Sequence, residues 1–187
     1  MKTFPLIVQI HTSPMMAVIV VTGGGAQAIA DLLAVPGASK TVLEALVPYS
    51  DKALAEFLGE SPTQAVSIET ATAMAQAAYR RALRLRDDPA APVIGLACTA
   101  TLATNRPKKG EHRAHIGLCS HTQTRVSSLM LAKGTRNRQE EERIVSKVLL
   151  HVLAEACGID TALLDLRLRP EEQVQLTVVA KHPLPAS

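Results

Sequence analysis

The chain of 187 residues contains no tryptophan, two tyrosines and two phenylalanines. With aromatics at 2% it has little to stack on bases, and a net charge of +3 is far from the strongly basic balance of a nucleic-acid binder. No nucleic-acid partner is expected. Cysteine is sparse as well: Cys98, Cys119 and Cys157 are an odd number, without the spacing of a zinc site or a redox pair. A reducing, cytoplasmic setting is the simplest one for them. Long apolar runs are missing. Phe4 to Ile10, following Lys2, loosely imitates a signal peptide, but Gln9, His11 and Thr12 interrupt it. No run approaches membrane-spanning length, so no membrane partner is expected.

What is present is a hydrophobic content of 47%, enough for one sizeable core, and one domain over residues 1–187 is the expectation. Abundant alanine without tryptophan points to close packing of small side chains. Leu6 to His11 and Met16 to Val21 read as β-rich runs, the second buried on both faces. Ala26 to Leu33 has helical spacing and stops at Val35-Pro36-Gly37. Thr41 to Val47 reads as a strand, and Asp51 to Leu58 as a short helix capped by Ser50 or Asp51 and ended by Gly59. Ser67 to Leu85 is a long amphipathic helix whose last turns carry Arg80, Arg81, Arg84 and Arg86. Val93 to Leu102, His112 to Cys119 and Val126 to Leu131 are further strands, the last two forming a hairpin or meander. Glu140 to Cys157 is a strong helix stopped by Gly158. Leu164 to Leu168 and Val174 to Val179 alternate as two more strands, an added hairpin at a sheet edge. No repeat or low-complexity linker interrupts the pattern. Strands and helices that alternate and then give way to a hairpin predict a three-layer α/β/α sandwich with a mixed, mainly parallel sheet.

A ligand is expected beyond the carboxyl ends of the strands. Three segments gather there: Thr22 to Gly25, Pro48 to Lys52, and Cys98 to Lys109. The run Val18-Ile-Val-Val-Thr22-Gly23-Gly24-Gly25 takes a strand through three glycines into a helix. Glycine permits close approach of backbone to ligand, and the helix start offers unpaired N–H groups and a positive dipole end. Strand, glycines and helix start together make an anion site, most often for phosphate. Thr22, Gly23, Gly24 and Gly25 are therefore candidate ligand-binding residues, with Ser39, Tyr49, Thr99, Thr101, Arg106, Lys108 and Arg136 beside them. Tyr49, Lys52 and Thr22 are the candidates for chemistry. The partner expected is a small phosphorylated or nucleotide ligand, with a homo-oligomer left open. No metal is expected, since His112 and His115, three apart on a strand, point to opposite faces without accompanying carboxylates. No cofactor is expected either. Cys98 has no histidine beside it in sequence to lower its pKa, and reads as a packing residue.

Taken together, these segments resemble the C-terminal domain of the CinA family, also found as stand-alone nicotinamide-nucleotide amidohydrolases. The resemblance rests on Thr22-Gly23-Gly24, Val35-Pro36-Gly37-Ala38-Ser39, Val47-Pro48-Tyr49-Ser50-Asp51, Ala65-Val66-Ser67, Cys98-Thr99 and Gly134-Thr135-Arg136, in order and nearly at the family's spacing. It spans residues 16–157, leaving 158–187 as a C-terminal extension. It implies a small α/β domain that hydrolyses the carboxamide of nicotinamide mononucleotide, using a serine nucleophile assisted by a tyrosine and a lysine, without a metal. The serine's position is Val20 here, flanked by Ile19 and Val21, and the lysine's position is Leu54. Lys52 is two residues earlier, roughly 200° away around a helix. The family's glycine-rich loop is replaced by Thr101-Leu102-Ala103-Thr104-Asn105-Arg106. A valine cannot attack a carbonyl. The expected function is thus binding of a pyridine nucleotide or similar phosphorylated metabolite without the family's deamidation. The alternatives are a hydrolase with a relocated nucleophile (Thr22, Ser39, Ser50, Thr99 or Cys98) and an interaction module without a ligand.

Overall fold

A computed structural model describes residues 3–106, 109–161 and 165–181, and these residues form six strands and five α-helices. In chain order these are α1 (Thr3–Thr12), β1 (Met16–Thr22), α2 (Ala26–Ala34), β2 (Val42–Leu46), α3 (Asp51–Leu58), α4 (Ile68–Leu85), β3 (Val93–Thr101), β4 (His112–Cys119), β5 (Gln123–Leu131), α5 (Arg138–Ala156) and β6 (Gln173–Lys181). The strands make one sheet in the order β2-β1-β3-β4-β5-β6, with helices on both faces.

The sheet is mixed, but the expectation of mainly parallel pairing does not hold. β1 pairs parallel with β2 and β3, whereas β3-β4, β4-β5 and β5-β6 are antiparallel. A parallel neighbour needs a crossover of a dozen or more residues, and no helix separates β3 from β4 or β4 from β5. The parallel part puts the carboxyl ends of β1, β2 and β3 on one side, and the chain after each strand emerges there.

The predicted first strand is a helix. Leu6, Ile7 and Ile10 recur at helical spacing and are all buried, while Phe4 and Val8 face outward. Packing overrides the β preference of Ile and Val. His11 ties this helix down, with Nδ1 2.8 Å from the Thr41 hydroxyl and Nε2 3.0 Å from the Leu32 carbonyl oxygen. Near the other end of the chain, residues 165–168 form no strand, and Leu164 lies outside the described residues. β6 therefore joins the edge alone, against β5.

Two cores flank the sheet. One is built by α1, α2 and α5 on Ile19, Val21, Leu96, Ile116 and Leu129. The other is built by α3 and α4 on Val18, Val20, Ala97 and Cys119. The second is thin because α4 presents Ala71, Ala75, Ala78 and Ala82 around Met74. Gly95 and Gly117 complete the close approach. A Cβ on Gly95 would lie 2.1 Å from the Ala75 carbonyl oxygen, and one on Gly117 2.4 Å from that of Ala71.

Candidate functional site

The glycine turn forms as its sequence predicts. Gly23 (φ 74°) and Gly25 (φ 95°) take left-handed conformations that disfavour any other residue. The turn lies so close to β3 that a Cβ on Gly23 would come within 1.9 Å of the Ala100 carbonyl oxygen. Gly25 is the N-cap of α2, as an anion site requires. The anion is already there. Glu142, on α5, accepts the Gly25 N–H at 2.9 and 3.0 Å through its two carboxylate oxygens and the Gln27 N–H at 3.1 Å. Ser146 accepts the next N–H, from Ala28, at 3.2 Å and donates to Glu142 at 3.2 Å. Arg138, one turn before Glu142, donates from Nη2 to the Gly23 carbonyl at 2.7 Å.

Beside this turn opens a cleft of about 330 Å³. Its walls bring together Thr22, Gly23, Gly24 and Tyr49 with Arg138 and Glu142. Tyr49 is 66% exposed, so its ring presents a face to solvent. The other candidates are elsewhere. Ser39 is exposed on a 3₁₀ turn ahead of β2, at the opposite end of the sheet. Thr99 is buried and donates to the Ala65 carbonyl at 2.6 Å, helping Arg113, which holds the Val66 carbonyl at 3.0 Å, to anchor the strap before α4. Thr101 is half-buried at the end of β3, and Arg106 is exposed on the loop beyond it. Lys108 lies outside the described residues. Arg136 lines a different cavity and pairs with Glu172 through both guanidinium nitrogens, one of them at 2.8 Å. Lys52 is exposed on α3, away from the buried Leu54.

Two more of the groups considered as relocated nucleophiles, Ser50 and Cys98, are engaged or buried. Ser50 caps α3, accepting the Ala53 N–H at 3.1 Å. Cys98 is fully buried beneath the glycine turn; burial, and then the Glu142 charge, push its thiol well above the usual range. It stays protonated and unreactive. Of this set only Thr22 reaches the cleft. His112 and His115 do face opposite sides. The Nδ1 of His112 is 2.7 Å from the buried carboxylate of Glu141, and that of His115 is 2.8 Å from the Ser128 hydroxyl. Among the described residues no His, Cys, Asp and Glu cluster could hold a metal ion.

The residues missed by sequence reasoning are Arg138, Glu141 and Glu142. A signal was present. Three consecutive acids at 140–142 cannot all face water on a helix whose Ile144, Val145 and Val148 face the sheet, because Glu141 shares their stripe at i+3, i+4 and i+7.

The two positions that the family resemblance gives to serine and lysine are both buried. Val20 (0% exposed) and Leu54 (2% exposed) belong to the same buried apolar cluster between the sheet and α4. The CinA C-terminal domain family model matches residues 16–156. The chain belongs to that family. The fold agrees: the competence/damage inducible protein CihA from Agrobacterium tumefaciens superposes with a TM-score of 0.65 at 22% identity, over 83% of this chain and 95% of that one. A CinA superfamily protein from Klebsiella pneumoniae gives 0.63 at 14% identity, over 84% and 99%. A competence or damage-inducible protein from Enterobacter asburiae gives 0.61 at 17% identity, over 84% and 98%. No curated protein sequence matches this CinA domain. Among the described residues, no helix is long and apolar enough to cross a membrane.

Proposed function

We propose that this CinA domain binds a small phosphorylated metabolite of the pyridine-nucleotide kind in the Thr22–Tyr49–Arg138 cleft and does not hydrolyse its carboxamide. One observation carries the reading: Val20 and Leu54 are buried together in an apolar cluster. Amide hydrolysis by a side-chain nucleophile needs an attacking group and a neighbour that takes its proton. The positions to which the family resemblance assigns these roles hold hydrocarbon, and loss of such a pair removes orders of magnitude in rate.

Binding survives that loss on different residues. The cleft offers the exposed Tyr49 ring, the Thr22 hydroxyl, the Arg138 guanidinium and the Glu142 carboxylate. One cation and one anion suit a ligand that carries both charges. A pyridine mononucleotide has a cationic ring, which can lie on the Tyr49 face, and an anionic phosphate for Arg138. The phosphate would not sit on the N-terminus of α2, where Glu142 already takes the N–H groups and would repel it.

Isothermal titration with nicotinamide mononucleotide tests this directly. The expected result is one site per chain, weakened at least tenfold in Tyr49→Ala and in Arg138→Ala, with the nucleotide recovered unchanged. Absence of binding would leave a bare interaction module, and recovery of nicotinate mononucleotide would make the domain a hydrolase; either overturns the proposal.

A further inference from the structure

β6 lies beyond the family-matched residues 16–156 and forms the outer edge of the sheet. β5 is its one partner strand among the described residues, so its other edge presents a row of backbone donors and acceptors. Such an edge is a template for another strand, and proteins usually blunt it with charge, proline or a bulge. Here those devices lie outside the run Gln173–Val178. From Gln173 to Ala180 there is no charged residue and no proline. The single irregularity falls between Val178 and Ala180, leaving Gln173–Val178 in regular register. Along that run Val174, Leu176 and Val178 are 38%, 53% and 47% exposed. They share the face toward α5, which approaches Val174 and Leu176 across a cavity of about 140 Å³ and leaves them half uncovered.

We propose that this edge pairs with the β6 of a second copy, antiparallel, around a two-fold axis at Leu176, so that two sheets become one. The strand's own pattern selects this occupant. Val174-Gln175-Leu176-Thr177-Val178 reads apolar, polar, apolar, polar, apolar in both directions. Antiparallel pairing about its centre sets Val174 opposite Val178, Gln175 opposite Thr177, and Leu176 opposite its own copy. The apolar row then extends across the junction and the polar row meets polar. Exposed Glu171, in the turn that leads into β6, and exposed Lys181, at its far end, carry opposite charges, so antiparallel pairing brings an acid toward a base at each end of the interface, twice by symmetry. A parallel pairing would place like ends, and so like charges, together.

The 187-residue chain tests this by sedimentation velocity from micromolar to submillimolar concentration. The expected result is a monomer–dimer equilibrium. Leu176→Lys brings two ammonium groups together on the axis and should raise the dissociation constant at least tenfold, with an unchanged far-ultraviolet circular dichroism spectrum. Glu171→Lys should weaken the dimer and the double variant E171K/K181E restore it. Leu176→Cys should cross-link on oxidation, because directly opposed Cα atoms lie about 4.5–5.5 Å apart, within disulfide range. Gln173→Cys and the wild type, with two of its three cysteines buried, should not. A monomer at every concentration, a dimer indifferent to Leu176→Lys, or cross-linking at 173 equal to that at 176 would each overturn the proposal.

Discussion

Replacing Glu142 by alanine examines the internal anion at the glycine turn. The carboxylate satisfies two backbone donors, Gly25 at 2.9 and 3.0 Å and Gln27 at 3.1 Å, and lies at the positive end of the α2 dipole. A hydrogen bond to a charged group contributes about 1.5–3 kcal/mol. Glu142 is half-buried, so the lower figure applies, and two donors give a loss of about 3 kcal/mol. For a chain of this size each kcal/mol shifts the midpoint by about 2–4 °C, so Glu142→Ala should melt about 6–12 °C below the wild type. Inorganic phosphate should then enter the vacated position, and at about 100 times its dissociation constant it would restore about 2.7 kcal/mol. The assay is a pair of thermal melts, in phosphate and in a buffer without small anions. Phosphate should raise the midpoint of the variant much more than that of the wild type. A variant that melts with the wild type, or an equal response of both to phosphate, would refute the reasoning.

Gly95→Ala should be severely destabilising, because its Cβ would lie 2.1 Å from the Ala75 carbonyl oxygen and 2.2 Å from the Tyr79 nitrogen. Backbone must move to admit it, and a loss of about 3 kcal/mol or more in chemical denaturation is expected; a wild-type denaturation midpoint would show that α4 does not press on the sheet. Acid should unfold the chain partly through Glu172. Burial raises the carboxyl, but Arg136 and the backbone N–H groups of Arg169 and Ala132 more than reverse this and hold it at about 2, against an ordinary 4.5. The folded pKa is the lower one, so the stabilisation is complete above pH 4.5 and is lost as pH falls toward 2. Denaturant midpoints should fall through that window in the wild type and show a shallower slope in Glu172→Gln; parallel pH profiles would remove Glu172 from the account.

Local chemistry carried most of the fold's legibility. Ser50 and Ser67 cap α3 and α4 with side chains that accept the third N–H, as their positions in sequence imply. The apolar spacing of α5 is equally plain, although its start lies at Arg138 behind an Asn137–Glu140 capping box and not at Glu140. The failures belong to tertiary context. Ile and Val bias Leu6–His11 toward a strand, and only the cover that the core needs makes it a helix. The anion site at Gly25 was visible as a vacancy, but its occupant is 117 residues away and no local pattern names it. Thr99 and Arg136 carried the right chemistry for a ligand and are engaged in holding the Ala65 carbonyl and Glu172. Ser39 matched a motif whose place at the far end of the sheet follows from the parallel register of β1 and β2.

The central claim is that this CinA domain keeps the family's fold with hydrocarbon where the resemblance puts the nucleophile and its activator. Incubation of the purified chain with nicotinamide mononucleotide, with ammonia and nicotinate mononucleotide quantified over time, tests it most directly. The account predicts release indistinguishable from a protein-free blank. Turnover within the ordinary enzymatic range of about 1–1,000 per second, abolished by substitution of Thr22 or Tyr49, would contradict it.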